Sequence, residues 1–471
     1  MLLNRFKTLV HQWWRPVFPQ SRTFNRAVAV LLGLLSTHGR RTVSRALGAE
    51  GRTQCDWAAD YRAFSRAPWN EDELFTGALA TAMTYVPDRG FIAAFIDDTS
   101  LKKSSRVIAA ARWLRDPLSP PFHVNLKYGL RCLHVALDLP LYRQGQAARA
   151  VSVGFELAPP AKKPGKRATP EEMAQYLSIK KILSLPAKAV SAMSRLRSKL
   201  DTLGLAHRKL LSVVDGGFTN KTVIRNLPER VDIIGRARKD MALFRPAPPG
   251  GRRVYGDRLP TPEAIRKDPA IPYKTIRCHY GGEWRTVRYK EIANVLWRSS
   301  GGRRPLRLFV VAPTPYVAPG PGRRIQYRHP AYLITTDLGS SPQSLIQAYL
   351  DRWQIEVLHR DLKTGLGLGQ AQVWSNSSVS RLHSAVVAAY AMLTLAALDV
   401  FGPERTAAFP PIPAWRRRYP PRRASHNDII TMLRNDLAAN GPLRPLPPSK
   451  PNAPQYPPCW ALPPRETYAL T

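Results

Sequence analysis

Two aspartates stand at the ends of short apolar runs, and a glutamate stands inside a long helical pattern. Phe91–Ile96 leads into Asp97-Asp98-Thr99, and Lys209–Val214 leads into Asp215-Gly216-Gly217. Apolar runs of this length, bounded by turn residues, read as buried strands that deliver an acid at their carboxyl ends. Asp98 and Asp215 are the strand-end candidates and Glu356 is the helical one. Carboxylates are hard oxygen donors of the kind that Mg²⁺ takes. Three of them, converging from two strands and one helix, would hold two ions about 4 Å apart. One ion would activate an attacking oxygen and the other would stabilise the leaving one. The chemistry is phosphodiester cleavage. Strand-end acids are also ordinary solvated punctuation, so neither aspartate carries the reading by itself.

The helix adds to it. Its sequence from Tyr349 includes Arg352, Glu356 and Lys363. At about 100° per residue these four side chains fall within one stripe about 60° wide on an uninterrupted α-helix. A tyrosine, two cations and a carboxylate make a poor core face. They suit a face against which a metal and a phosphodiester lie. The alternative is a solvated face with chance ion pairs.

The elements that must position these groups follow from the texture of the chain. Residues 1–86 read as short helices: Phe24–Ser36, Thr42–Leu47, and Asp56–Ala67 with Trp57, Tyr61 and Phe64 on one face. Asn70, followed by Glu71 and Glu73, resembles a capping box. The arginines here (Arg40, Arg41, Arg45, Arg52, Arg62 and Arg66) fit a helix-turn-helix-like DNA reader, or a small bundle with a solvated basic face. Residues 87–244 alternate strands and helices. Residues 245–330 are rich in Gly and Pro, with strand-like runs and a hairpin turn at Tyr280-Gly281-Gly282-Glu283. Residues 331–401 return to a strand at Ala331–Thr336, a long helix over Pro342–Thr364 and an apolar helix over Arg381–Val400. Residues 402–471 are Pro-rich and basic, and are expected to be mostly extended.

Composition narrows the partner. With 471 residues and 11 Trp, the chain can bury a sizeable core. Its 71 Lys and Arg against 33 Asp and Glu give a net charge of +38. Such a surface repels itself unless a polyanion binds, and nucleic acid comes before anionic membrane. The longest apolar run, Ala385–Leu398, is shorter than the ~20 residues needed to span a bilayer. It reads as a buried helix, so no membrane is expected. Cys55, Cys132, Cys278 and Cys459 show no CxxC pairing and no zinc-finger spacing. They read as free thiols in a reducing cytosol. The start, MLLNRFKTLVHQWWRP, lacks the apolar core and cleavage site of a signal peptide. The expected location is therefore the cytoplasm.

The pattern Tyr349-x2-Arg352-x3-Glu356-x6-Lys363 resembles the signature of the DDE-type transposases of bacterial insertion sequences whose catalytic domain carries a β-strand insertion. Ile96-Asp97-Asp98-Thr99 resembles that family's first motif, in which the aspartate immediately before Thr is the ligand. This maps to Asp98, with Asp97 as its neighbour. Val213-Val214-Asp215-Gly216 resembles the second motif, although the family often has a charged residue where Gly216 stands. The resemblance spans roughly residues 90–400.

It implies an α/β protein. A ribonuclease-H-like core (87–244 and 331–401) would be interrupted by the β-rich insertion (245–330); ahead of it, residues 1–86, which match the family only in being helical and basic, read as a helical DNA-binding domain. It implies two Mg²⁺ ions, with Mn²⁺ as a substitute, held by Asp98, Asp215 and Glu356. The partners implied are the terminal inverted repeats of a transposon and target DNA, with a homodimer pairing two ends on the bacterial nucleoid. Residues 1–86 would carry the sequence-specific reading of the ends. Tyr349, Arg352 and Lys363 would hold DNA beside the metals. In some relatives a Trp of the insertion stacks on a flipped base; Trp297 and Trp284 are the candidates, and burial within the insertion is the competing reading. The alternative to an active transposase is a domesticated relative that binds DNA without mobilising it. A DNA-binding regulator would leave the three carboxylates without a purpose. A ribonuclease would show no preference for paired DNA ends.

Overall fold

The structure is a computed structural model that describes residues 1–116, 119–120, 122–317, 325–417 and 420–440. Cys459, Arg418 and the tail beyond residue 440 lie outside the described residues; Cys55, Cys132 and Cys278 are in no disulfide. The described chain forms two compact units. One comprises residues 79–102 and 111–359; the other comprises residues 1–78, residues 103–110 and the described chain from Arg360 onward. The helices are α1 (Leu2–Trp14), α2 (Ser21–Ser36), α3 (Val43–Ala49), α4 (Trp57–Ser65), α5 (Leu74–Met83), α6 (Pro170–Ile182), α7 (Leu185–Thr202), α8 (Lys221–Arg225), α9 (Pro262–Lys267), α10 (Pro342–Asp351), α11 (Trp353–Arg360), α12 (Asn376–Phe401) and α13 (His426–Asn440). The strands are β1 (Ile92–Lys102), β2 (Arg112–Arg115), β3 (Leu126–Leu139), β4 (Arg149–Leu157), β5 (Leu210–Val214), β6 (Val231–Arg236), β7 (Phe244–Pro246), β8 (Tyr255–Arg258), β9 (Lys274–Tyr280), β10 (Glu283–Leu296), β11 (Pro305–Val311), β12 (Pro315–Val317), β13 (Ile325–Tyr327) and β14 (Ala331–Thr335).

The first unit is built on one large mixed sheet in the order β2-β3-β1-β5-β6-β14-β11-β10-β7-β8, with β4 also paired to β3 and β9 to β10. β1 runs antiparallel to β3 and parallel to β5, and β5 runs parallel to β6. β5 is buried along its whole length. A central parallel strand covered on both faces needs a continuous apolar sequence, and Leu210–Val214 supplies it. α10 packs over β5, β6 and β9, while α7 packs on β3 and β4. Ser341 starts α10 by accepting from the Ser344 amide, with Pro342 at the first helical position.

The strands expected in the insertion, β9, β10 and β11, form as part of the large sheet, while β12 and β13 pair with each other in a small second sheet. β11 pairs antiparallel with β14, so the sheet runs on from β6 through β14 into β11 and β10. A local core of Met241, Leu243, Ile265, Val295, Leu306 and Leu308 lies beneath this extension. At its edge Tyr280 pairs with Glu283 across Gly281 (φ 63°) and Gly282 (φ 85°). Two successive positive φ values are what a two-residue hairpin turn requires, and glycine reaches them without strain.

The second unit is helical. α12 packs against α1, α2, α4 and α13, and it is buried almost continuously from Ser378 to Leu398. It is the one helix among the described residues long and apolar enough to cross a membrane, and its apolar window is mostly buried. The N-terminal helices therefore share a core with the C-terminal ones, and the unit boundary does not follow the 86/87 or the 401/402 divisions read from sequence. Local sequence could not reveal this, because the pairing joins segments more than 300 residues apart.

Three further expectations change. The region after Gly402 is not simply extended: α13 buries Ile429, Ile430 and Leu433. The Trp57-Tyr61-Phe64 stripe is not a core face, since Trp57 is 57% exposed and only Phe64 is fully buried. The long helix expected over Pro342–Thr364 is two α-helices and a π-turn, Asp361–Gly365, with a break at Arg352.

Candidate active site

Consecutive residues of a strand point to opposite faces of the sheet. Asp97 pairs with His134 of β3 and Asp98 with Leu133, so the two aspartates face opposite sides. In β5 the partner of Ile96 is Val214, so the next residues along the parallel pair, Asp97 and Asp215, stand side by side, although β1 does not end at its acids as expected but runs on through Asp97 and Asp98 to Lys102, while Asp215 follows the last residue of β5. The electrostatics agree. Burial, and then the charge of Asp215, pushes the Asp97 carboxyl up to about 7, with Arg352 opposing. Asp98 is exposed, and its charge acts on Arg131, which belongs to the strand beside it. The structure thus brings Asp97, and not Asp98, to the side of Asp215 and Arg352.

The turn after β5 fixes Asp215. Its Oδ1 accepts from the amides of Gly217 (2.8 Å) and Phe218 (3.2 Å), and its backbone carbonyl accepts from the Thr219 hydroxyl. A Cβ at residue 217 would stand 3.2 Å from that Oδ1. This close approach accounts for glycine at 217, next to the position where the sequence departs from the family pattern.

Tyr349, Arg352 and Glu356 do come together. Arg352 Nη2 donates to Glu356 Oε1 at 2.8 Å, and the guanidinium lies 6.0 Å from the Tyr349 ring centre. The Tyr349 hydroxyl is pushed up by burial, against the nearby charges of Arg352 and Arg236. Lys363 falls in the π-turn and belongs to the helical unit. The i→i+5 turn interrupts the α-helical repeat, so the stripe drawn from the sequence ends at Glu356.

Among the described residues no group of three His, Cys, Asp or Glu side chains stands close enough together to hold a metal ion. The donor chemistry nevertheless fits a hard divalent cation. Asp97 and Asp215 are adjacent carboxylates, and the raised Asp97 carboxyl is the response of a buried acid beside a like charge. Glu356, the third oxygen donor, is held by Arg352.

Beside the Asp215 turn opens a cavity of about 930 Å³, whose lining includes Gly216, Arg236, Arg238, Lys239, Trp297 and His329. Trp297 is partly buried against the core of the sheet extension. Trp284 is elsewhere, exposed and edge-on to Tyr142 and His279. The sequence reading passed over Arg236-Ala237-Arg238-Lys239, although a basic run leaving a strand was there to be seen. It also passed over His134 and His359, whose ring nitrogens meet at 3.0 Å. That contact sits on the Asp97 side of β3 and links it to the helix of Glu356.

A family model described as DDE superfamily endonuclease matches residues 15–305. The chain belongs to that superfamily. The match includes Asp97, Asp98 and Asp215. A second model, described as archaeal putative transposase ISC1217, matches residues 324–400 and so includes Tyr349, Arg352, Glu356 and Lys363. No curated protein matches. This DDE endonuclease is accordingly a metal-dependent enzyme of the insertion-sequence transposase group, and DNA is its partner. Its mixed α/β architecture with a large mixed sheet fits that assignment.

Proposed function

We propose that this DDE endonuclease is a transposase that binds the ends of its element, cleaves the strands there and joins the 3′-hydroxyls to target DNA. Asp97, Asp215 and Glu356 are its three catalytic carboxylates, with Asp97 in the role that the motif match gave to Asp98. The observation that carries this is the register of β1 on β5, which sets Asp97 beside Asp215 and turns Asp98 to the other face. The order β4-β3-β1-β5-β6, antiparallel in its first half and parallel in its second, supports a ribonuclease-H-like core.

These carboxylates would hold Mg²⁺, or Mn²⁺ in its place, and bound ions would supply Lewis-acid activation of the attacking and leaving oxygens. The protein's own contribution is positional. The Gly217 and Phe218 amides fix Asp215, and Asp97 keeps its place through the sheet ladder. Glu356 must leave Arg352 to serve as a ligand, and a DNA phosphate is the natural replacement partner for the guanidinium. Tyr349 packs beside Arg352 and orients it. Lys363 adds a further phosphate contact, and the half-buried Trp297 in the basic cavity offers a face for an unpaired base. The sequence-specific reading of the ends belongs to the N-terminal helices, and two copies pair two ends. The enzyme works in the bacterial cytoplasm on nucleoid DNA.

The test is cleavage of a linear duplex carrying the sequences that flank the coding frame, with Mg²⁺ present. Asp97→Asn, Asp215→Asn and Glu356→Gln should each lower cleavage by about 10²-fold or more while end binding persists. Asp98→Asn should retain cleavage within a few-fold. Loss with Asp98→Asn and survival with Asp97→Asn would return the role to Asp98.

A further inference from the structure

A second cavity, of about 310 Å³, lies in the sheet unit and shares no lining residue with the one beside Asp215. Gly90 and Arg89 line it ahead of β1, Asp138 near the end of β3, and Ser341 and Ser344 at the start of α10. Asp138 is only 6% exposed, and its Oδ1 has no hydrogen-bond partner. A buried carboxylate oxygen without a partner is strongly destabilising unless something neutralises it.

A second buried acid stands behind it. Asp351 of α10 is 5% exposed, and its charge acts directly on Asp138. Both Asp351 oxygens accept from the Gln347 amide at 3.1 Å, and Gln347 also exchanges hydrogen bonds with the backbone of His279. The Cys278 thiol is pushed up to about 12 by burial and then by the charge of Asp351. Among the described residues no basic side chain contributes to the electrostatics of either acid: Asp138 answers to burial and Asp351, and Asp351 to burial and Gln347. Arg89, at the cavity wall, is exposed.

We propose that this cavity is a second divalent-cation site, distinct from the catalytic carboxylates, with Asp138 as the inner ligand and Asp351 as the second charge behind it. A proton shared within the pair neutralises one carboxylate and leaves the other charge buried. A divalent ion in the cavity that Asp138 lines neutralises both. A cavity of this size also holds several waters, at about 30 Å³ each. That suits Mg²⁺ or Mn²⁺, which are bound through one or two carboxylates and keep much of their water shell. The Ser341 and Ser344 hydroxyls on the cavity wall are further oxygen donors. Asp351 directly precedes the break at Arg352, so an ion here braces the helix that leads to Glu356 against β3.

The experiment uses the full chain with Asp97→Asn, Asp215→Asn and Glu356→Gln combined, so that the proposed catalytic ligands are gone. Mn²⁺ is titrated by calorimetry and by electron paramagnetic resonance. The expected result is one retained Mn²⁺, whose affinity falls at least tenfold on adding Asp138→Asn or Asp351→Asn. No retained Mn²⁺ would mean that a proton alone neutralises the pair, and would overturn the proposal. Retention unchanged by either added substitution would overturn it equally. Should those variants fail to fold, Mn²⁺-soaked crystals of the triple variant decide. An anomalous peak within bonding distance of Asp138 supports the site, and its absence removes it.

Discussion

Arg352 and Glu356, four residues apart, are joined at 2.8 Å across the junction between α10 and α11. The pair occupies the one proposed catalytic metal ligand that comes from a helix. Arg352→Ala should therefore have two separable effects. Loss of a phosphate contact should flatten the slope of log affinity against log salt by about 1. Cleavage should fall further than binding, because the lost contact lies beside the scissile bond. Binding measured across a salt series, with cleavage measured on the same ends, checks both. An unchanged slope with unchanged cleavage would reduce the pair to a structural ion pair.

Asp97 gives the site a pH signature. Its carboxyl sits at about 7 in the folded protein, against an ordinary value near 3.8. A raised folded value means that the native state holds the proton more tightly than the unfolded chain. Metal-free stability should then fall as pH rises from about 4 to 7, by roughly 1–4 kcal/mol, and level off above. Asp351, whose carboxyl is also raised by burial, acts in the same direction. Asp97→Asn should remove part of the slope and leave the rest. Apparent Mg²⁺ affinity should weaken by up to about tenfold for each pH unit below 7, since proton and ion compete for one carboxylate. Denaturant melts and Mg²⁺ titrations between pH 5 and 8 measure both, by the same linkage argument.

The acids of the site were legible because each ends an apolar run or sits in a helix with an unusual face. The choice between Asp97 and Asp98 was not. It depends on which face of β1 looks toward the helix of Glu356, and that parity is set by the register with β3 and β5, far away in sequence. The motif match favoured the residue next to Thr99; the ladder favours the one before it. Lys363 shows a similar limit. Its place on the stripe assumed an unbroken α-helix, and a single π-turn is a local backbone event without a composition signal. The burial of α12 was legible from its apolar length, but not its partners.

Asp60 is a stability test within the helical unit. It is fully buried and accepts from Arg26 at 3.1 Å and from Arg52 at 2.8 Å. Both arginines are themselves buried. Asp60→Ala leaves two cations without their shared anion in a desolvated setting, which should cost about 3–5 kcal/mol. Chemical denaturation of the purified variant reads this directly. A loss below about 1 kcal/mol would mean that water or a rearranged carbonyl takes over from the carboxylate, on the scale usual for exposed pairs.

The last expectation concerns the N-terminal helices. Read from sequence, residues 1–86 form a helical DNA-binding domain of their own. The packing argues otherwise. α12 buries Leu382, Ala385, Val387, Ala389, Leu393 and Leu395 in a unit whose other helices include α1, α2 and α4. Arg434 of α13 donates to the carbonyls of Ser36 and Thr37 at the end of α2, and Asp436 accepts from the Leu3 amide. Deleting residues 1–86 would uncover one long side of a helix apolar enough to pass for a membrane span. Exposed apolar area of that kind drives association. The truncated chain should therefore be recovered as aggregate, or as soluble oligomers that bind a hydrophobic dye, with the α12–α13 region poorly protected from hydrogen exchange. Size-exclusion chromatography and exchange mass spectrometry distinguish the cases. A monodisperse truncation, with α12 as protected as in the full chain, would show that the C-terminal helices hold their fold without α1, α2 and α4.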